Sequence, residues 1–186
     1  LSKPITFKIN VNITKIIDGL DRNERIIKIA SVKNFDSSDY VYAFSKKGMV
    51  KKTALNEFEG NYLTQTFFKF KYEEDEIVGV DIKPDKLVEI LEVTKKGMGI
   101  KYSSENINPM GKMASGVTGI SIKENNNIDS NEETAFTEVS TISIISKNKV
   151  KKDIDLNNLK LQNRAGKGSS LISLDLEDEI KEVILN

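Results

Sequence analysis

A lysine-rich motif recurs along this chain at a spacing of about 50 residues. Lys46 to Lys95 is 49 residues, and Lys95 to Lys147 is 52. A fixed period of this length is typical of propeller blades and stacked repeats, and it argues against a doubly wound fold. The three copies are "SKKGMVKKTALNEF" at Ser45–Phe58, "TKKGMGIKYSSENI" at Thr94–Ile107 and "SKNKVKKDIDLNNL" at Ser146–Leu159.

A second marker keeps the same period. The triplet "DEI" occurs at Asp75–Ile77 and again 103 residues later at Asp178–Ile180. The related "NERII" at Asn23–Ile27 lies about one period upstream of the first. Two independent markers therefore divide the chain into similar units.

Each lysine motif lies between two runs of alternating β-branched or aromatic residues, which predicts a β-hairpin. Gly48, Gly97 and Asn148 are expected to supply the positive φ that a tight turn needs. Further runs in each unit predict a second pair of strands, and "TALNEF" and its counterparts predict single-turn elements. These runs are "TQTFFKFKYEEDEIVGVDI", "ASGVTGISI" and "GKGSSLISLDLEDEIKEVIL".

The repeat predicts an all-β, propeller-like fold of four-stranded antiparallel blades, with little helix. We expect about four blades, in a closed ring or an open arc, with approximate boundaries at 1–32, 33–82, 83–128 and 129–186. Because the chain starts within the pattern and without methionine, we expect it to be an excised domain.

Composition excludes several classes of protein. Hydrophobic residues at 38% and charged residues at 30% are typical of a globular chain. No apolar run is long enough for a transmembrane helix, and the N-terminus lacks a secretory signal. Cysteine and histidine are both absent, so disulfides, Cys-based zinc sites and Ser-His-Asp triads are excluded. We expect no catalytic residue, metal or cofactor in this chain.

Charges are balanced, with 28 basic and 28 acidic residues, but they cluster. Lysines recur at the predicted turns, whereas acidic runs occur at Glu73–Glu76 and Asp175–Glu182. We interpret this as charge segregation, in which the turns form a basic belt suited to a polyanion. The alternative is that the lysine turns and the acidic runs are simply solvated, with the lysines protecting sheet edges.

Two glycine-rich segments occupy the same place in successive repeats, at Ile107–Ile122 and Leu161–Leu174. Backbone amides in such loops can bind an anionic oxygen, although a simple bend between strands explains them equally well. "GKGSS" lacks the spacing of a phosphate-binding P-loop, so nucleotide hydrolysis is not predicted.

The repeated "KKGMVKKT…NEF" and "KKGMGIK…ENI", together with "NPMGKMASGVTGI", resemble the C-terminal repeat domain of type IIA bacterial topoisomerase A subunits. That family comprises the A subunits of DNA gyrase and topoisomerase IV, and the similarity covers nearly the whole chain. The resemblance implies a β-pinwheel, whose blades exchange strands and whose basic outer rim binds and bends duplex DNA. It also implies that the catalytic tyrosine lies in another domain.

The partners implied are duplex DNA, the ATPase B subunit, and the rest of the A subunit, with no membrane and a cytoplasmic, nucleoid-associated location. DNA contact is expected to be made through phosphates, without base readout. The residues expected to bind DNA are Lys46, Lys47, Lys51, Lys52, Lys95, Lys96, Lys101, Lys112, Lys147, Lys149, Lys151, Lys152, Arg164 and Lys167.

The resemblance favours topoisomerase IV over gyrase. Gyrase A subunits carry a box of the form Q-(K/R)-R-G-G-(K/R)-G in their first blade. Here the similar segment Gln162–Gly168 lies in the last repeat and departs at Asn163 and Ala165, while "NYLTQTFF" at Asn61–Phe68 resembles a degenerate topoisomerase IV blade. The alternatives are a gyrase wrapping domain, a propeller-type protein-interaction scaffold, and an enzyme using an Asp/Glu pair within "EEDE".

Overall fold

A computed structural model describes residues 20, 24–36, 38–60, 62, 64–122, 131–136 and 139–186. Three antiparallel hairpins organise these residues, and they recur at the spacing of the lysine motifs. Their strands are β1 (Tyr40–Ser45) and β2 (Met49–Ala54), β4 (Glu89–Thr94) and β5 (Met98–Ser103), and β8 (Thr141–Ser146) and β9 (Lys151–Asp155).

Each hairpin pairs with an antiparallel strand from later in its own repeat, which lies beside its first strand. These outer strands are β3 (Ile77–Lys83), β7 (Asn131–Phe136) and β11 (Ile180–Leu185). The "DEI" triplets mark the starts of two of these strands, because β3 and β11 begin at the isoleucine of each triplet.

The fourth strand of a sheet comes from the following repeat. Two-residue β6 (Val117–Thr118) pairs with β2 of the first hairpin, and β10 (Ser169–Ser170) pairs with β5 of the second. The sheet orders are therefore β3-β1-β2-β6, β10-β5-β4-β7 and β11-β8-β9. The predicted all-β fold of antiparallel blades with exchanged strands is confirmed, whereas the blade boundaries stay a prediction.

Apolar side chains on successive sheets form two clusters that bury both faces of the second sheet. In β4, Ile90 belongs to a cluster shared with Tyr42 and Phe44 of β1, whereas Leu91 belongs to one shared with Ile142 of β8. Neighbouring residues of a strand point to opposite faces, so the second sheet lies between the other two. Residues Ile90–Thr94 of β4 are accordingly all buried, although they include the polar Glu92 and Thr94.

The segment 64–70 differs from the prediction. It was expected to supply a strand, but the described residues there form none. Its counterparts β6 and β10 each pair with the preceding hairpin. Among the described residues no hairpin precedes Tyr40, so segment 64–70 has no such partner there.

The predicted single-turn elements are confirmed as 3-10 helices at Leu55–Phe58 and Ser104–Asn106. The first predicted blade lies mostly outside the described residues.

Glycine is required where the exchanged strand meets its host sheet. Gly116 has φ 77° and lies directly before β6. A Cβ at this position would come within 2.5 Å of the carbonyl oxygen of Val50 in β2. Gly168 is its counterpart before β10, with φ 74° and the same close approach to the Gly99 backbone. The glycine-rich loops thus serve strand exchange.

We predict that Gly116→Ala destabilises the chain by about 1–3 kcal/mol, because alanine is strained at positive φ and its Cβ would contact the backbone of β2. Gly111→Ala in the same loop is the matched control, since a Cβ there has no neighbour within 4 Å. Urea unfolding measures both. Equal effects of the two substitutions would contradict the close-approach explanation.

Candidate nucleic-acid interface

The three lysine turns share one hydrogen-bonded geometry. The carbonyl oxygens of Ser45, Thr94 and Ser146 accept from the N–H three residues later, at 3.0, 2.9 and 3.0 Å. Their hydroxyl oxygens accept from the N–H four residues later, at 3.2, 3.2 and 3.1 Å. A Ser or Thr at the start of each turn therefore fixes the backbone that carries the lysines.

The third turn differs from the prediction in one residue. The position with positive φ is Gly48 in the first turn and Gly97 in the second, at 77° and 82°. In the third it is Lys149, at 67°, rather than the expected Asn148. The prediction was wrong because Asn148 lies one position too early to align with the glycines. Lys149 therefore adopts a left-handed backbone conformation, which costs an L-residue about 1–2 kcal/mol.

The carboxylate of the first "DEI" triplet closes the first turn. Asp75 Oδ1 accepts from the backbone N–H of Lys47 at 2.9 Å and of Glu76 at 3.0 Å. Its Oδ2 accepts from the hydroxyl of Ser45 at 2.7 Å. The side chain thus satisfies turn amides that the hairpin ladder leaves open.

Asp178 repeats this arrangement at the third turn. Its Oδ1 accepts from the N–H of Asn148 at 3.1 Å and of Glu179 at 2.9 Å. Only 1% of Asp178 is exposed. The interpretation of the acidic runs as solvated turns therefore holds for exposed Glu73 and Glu74 but is wrong for Asp178.

The glutamate of each triplet lies against lysine amines. Glu76 contacts Lys46 Nζ at 3.1 Å and Arg25 at 3.3 Å. Glu179 contacts the amines of turn lysines in both the second and the third hairpin. The predicted separation of acidic from basic residues is therefore wrong, because the repeat that places lysines at the turns also places glutamates there.

The acidic groups at the third turn titrate below their ordinary range. The hydrogen bond from Lys147 lowers the pKa of Glu179, and Lys95 adds to this effect against the opposing effect of burial. Burial raises the pKa of Asp178, but hydrogen bonds from Ser146 and two backbone amides outweigh it, so that the pKa is lowered. Both carboxylates are ionised at neutral pH.

Two lysines expected to bind DNA are buried. Lys51 lies in β2 against the rings of Phe67 and Phe68, and its Nζ donates to the carbonyl oxygens of Phe67 and of Lys112. Burial lowers the pKa of this ammonium to about 8, with Glu57 opposing the shift. Lys101 Nζ donates to the carbonyl oxygen of Leu156 at 2.9 Å.

Three further candidates are held by neighbouring groups. Lys52 Nζ lies 4.1 Å from the centroid of the Tyr40 ring. Lys112 Nζ donates to Gln65 at 2.7 Å. Arg164 donates to the carbonyl oxygens of Asn106 and Thr118, at 2.8 and 3.1 Å, and so ties the third repeat to the second.

The remaining candidates are spread over the turns and the open edge of the third sheet. Lys46, Lys47, Lys95 and Lys96 are half-buried at the first two turns. The exposed candidates are Lys147, Lys149, Lys151, Lys152 and Lys167. Lys152 Nζ also donates to the carbonyl oxygen of Leu171 at 2.6 Å.

One cation at the turns was missed by sequence reasoning. Arg25 lines a cavity of about 420 Å³ together with Lys46, Lys95 and Glu76. The sequence signal that could have identified it is its position in "NERII", the upstream relative of the "DEI" triplets.

The backbone amides of the glycine-rich loops, which were expected to bind anions, are partly occupied by hydrogen bonds within the protein. The Ala165 N–H, for example, donates to the carbonyl oxygen of Gly119 at 2.5 Å.

Among the described residues, no cluster of three or more acidic side chains is arranged to hold a metal ion. Within the same part of the chain, no helix is long and apolar enough to cross a membrane.

We predict that Asp178→Asn flattens the acid dependence of stability. Because the folded pKa lies below the ordinary value of 3.8, ionised Asp178 stabilises the fold above that value and loses this contribution as pH falls through the folded pKa. Urea unfolding at pH 6, 5, 4 and 3 measures it. Exposed Asp175→Asn is the control. An unchanged pH profile for Asp178→Asn would contradict the turn-closing role.

Curated relatives match most of this chain but are much longer. The A subunit of DNA topoisomerase 4 from Bacillus subtilis (strain 168) is 33% identical over 114 residues, which is 61% of this chain and 14% of the relative. The A subunit of DNA gyrase from Staphylococcus aureus (strain MRSA252) is 28% identical over 151 residues, which is 80% of this chain and 17% of the relative. The chain thus spans under a fifth of either protein.

The fold also matches a solved structure. The crystal structure of the C-terminal domain of DNA topoisomerase IV superposes with a TM-score of 0.84 over 93% of this chain and 54% of that one, at 23% sequence identity. The family model described as "DNA gyrase C-terminal domain, beta-propeller" matches residues 39–60, 89–130 and 154–185, just over half of the chain. The chain therefore belongs to the DNA gyrase C-terminal domain, beta-propeller family, which it shares with A subunits of topoisomerase IV and DNA gyrase.

Proposed function

We propose that this chain is a non-catalytic domain that binds and bends duplex DNA for a type IIA topoisomerase. The observation that carries the proposal is the recurrence of lysines on equivalent turns of three successive sheets. Its relatives are named as DNA gyrase and topoisomerase A subunits, which supports the same substrate. The catalytic tyrosine and the ATPase B subunit would belong to the rest of a cytoplasmic holoenzyme.

The contacts in this proposal are the lysines that a phosphate can reach. Burial and bonding to carbonyls argue against Lys51 and Lys101, and the two carbonyl bonds of Arg164 weaken its case. The remaining contacts are the half-buried lysines of the first two turns, Lys52, Lys112, and the exposed Lys147, Lys149, Lys151, Lys152 and Lys167.

Binding of this kind draws its free energy from phosphate neutralisation and the release of counterions, so it does not read the base sequence. Bending a DNA segment of about 20–30 bp by about 40–90° costs on the order of 1–6 kcal/mol. Contacts from several blades must offset that cost. The bent segment would then be presented to the holoenzyme as the duplex to be passed.

We predict that Lys149→Gln combined with Lys151→Gln weakens binding to a 30-bp duplex and makes it less dependent on salt. Each lost phosphate contact lowers affinity about fivefold to tenfold near 100 mM salt and reduces the slope of log K against log salt by about 0.9. Fluorescence anisotropy at 50, 100 and 200 mM salt measures both quantities.

Lys181→Gln is the control for this experiment, because exposed Lys181 lies in β11 at the other edge of the third sheet. It should leave affinity and slope nearly unchanged. If the affinity of the unaltered chain hardly varied between 50 and 200 mM salt, the phosphate-contact account would be wrong.

We further propose that the parent protein is topoisomerase IV rather than gyrase. The box-like segment Gln162–Gly168 departs from the gyrase pattern at Asn163 and Ala165. Its Arg164 is held by carbonyl oxygens of the neighbouring repeat. Both features support bending without the tight wrapping for which gyrase uses its box.

We therefore expect the chain to trap no linking-number change in circular DNA. Relaxed plasmid is incubated with the chain, treated with a type I topoisomerase, deproteinised and run on chloroquine gels. A gyrase wrapping domain is the positive control. A trapped change of consistent sign would contradict the assignment to topoisomerase IV and favour the gyrase alternative.

A further inference from the structure

Three lysine amines surround the carboxylate of Glu179. Its Oε2 lies 2.6 Å from Lys147 Nζ and 3.2 Å from Lys95 Nζ, and its Oε1 lies 3.7 Å from Lys96 Nζ. The Glu179 side chain is only 20% exposed, whereas that of Lys147 is 56% exposed. The carboxylate therefore lies beneath the exposed Lys147 amine and beside the partly covered amines of Lys95 and Lys96, whose side chains are 30% and 26% exposed.

The main chain fixes this carboxylate between two blades. The carbonyl oxygen of Glu179 accepts from the N–H of Lys147 at 2.8 Å, in the turn between β8 and β9. The N–H of Ile180 donates to the carbonyl oxygen of Lys95 at 2.8 Å, in the turn between β4 and β5. Glu179 is thus held by hydrogen bonds to both turns, and its position does not depend on the ion pairs alone.

At the first turn the equivalent glutamate, Glu76, is surrounded by fewer lysine amines. Glu76 contacts Lys46 and Arg25, but its side chain is 47% exposed. It lines the cavity that Lys95 also reaches. Of the two glutamates that precede an outer strand in the "DEI" triplets, Glu179 is the more enclosed and lies within reach of more amines.

We propose that Glu179 occupies the position of a DNA phosphate at the junction of the second and third blades and thereby sets the affinity of the domain for DNA. This inference rests on the proposed function. A carboxylate and a phosphate diester both present anionic oxygens to an amine, so a phosphate that binds these lysines must compete with Glu179. When a phosphate displaces Glu179, it replaces an ion pair within the protein. Because these lysines are already neutralised, phosphate binding releases fewer counterions than it would from unpaired lysines.

Glu179→Gln tests the proposal, because it keeps the shape of the side chain and removes its charge. We expect DNA affinity to rise about fivefold to tenfold at 100 mM salt for each additional phosphate bound, with a slope of log K against log salt steeper by about 0.9 per phosphate. Exposed Glu177→Gln, two residues earlier, is the matched control for the change in net charge and should alter affinity less than about twofold.

Glu179→Asp separates local competition from net charge. It keeps the negative charge, but a side chain shorter by one methylene withdraws the carboxylate from Lys95 and Lys147 and weakens both ion pairs. We expect tighter binding than for the unaltered chain, whereas a pure charge effect predicts no change. This variant also carries the test if circular dichroism shows that Glu179→Gln does not fold.

The outcomes distinguish this inference from the proposed function. If the unaltered chain binds DNA with the expected salt dependence but Glu179→Gln behaves like Glu177→Gln, the phosphate-like role of Glu179 is wrong and DNA binding stands. If Glu179→Gln binds more weakly, the phosphate-like role is also wrong and the carboxylate positions the lysines instead. If the unaltered chain and all variants fail to bind duplex DNA at 50 mM salt, the proposed function fails and this inference fails with it.

Discussion

The backbone amides of the hairpin turns need acceptors, and buried or half-buried carboxylates supply them. Asp75 and Asp178 each accept from a turn amide and from the amide of the following glutamate. This contact joins the outer strand of a sheet to the tip of its central hairpin. It holds the backbone of the lysine turns, and β3 and β11 begin two residues after each aspartate. The charge distribution of the surface follows from it.

Basic and acidic side chains are therefore equal in number over the whole chain and also lie close together at each turn. Each of the three lysine turns has a carboxylate within ion-pair distance of its amines. A polyanion that approached these amines would therefore compete with carboxylates already paired to them and would not meet a bare positive belt. Exposed ion pairs contribute little to stability individually. Their greater effect is on how strongly, and at what salt concentration, a polyanion is held.

The period of about 50 residues and the hairpins could be predicted because they depend on local sequence. The acceptor role of Asp178 could not, since a buried aspartate and a solvated one look alike in sequence. That one of Lys51 and Lys52 is buried could also have been predicted, because neighbouring residues in a strand face opposite sides of the sheet. Which side is buried depends on Phe67 and Phe68, which the local pattern does not place.

The two-residue strands β6 and β10 have a consequence for how the chain is made. The first sheet is completed by Val117–Thr118, which lies beyond the entire second hairpin. During synthesis the edge of β2 therefore cannot pair with β6 until the second hairpin has left the ribosome. The first two sheets therefore reach their full number of strands only after the following hairpin has been synthesised.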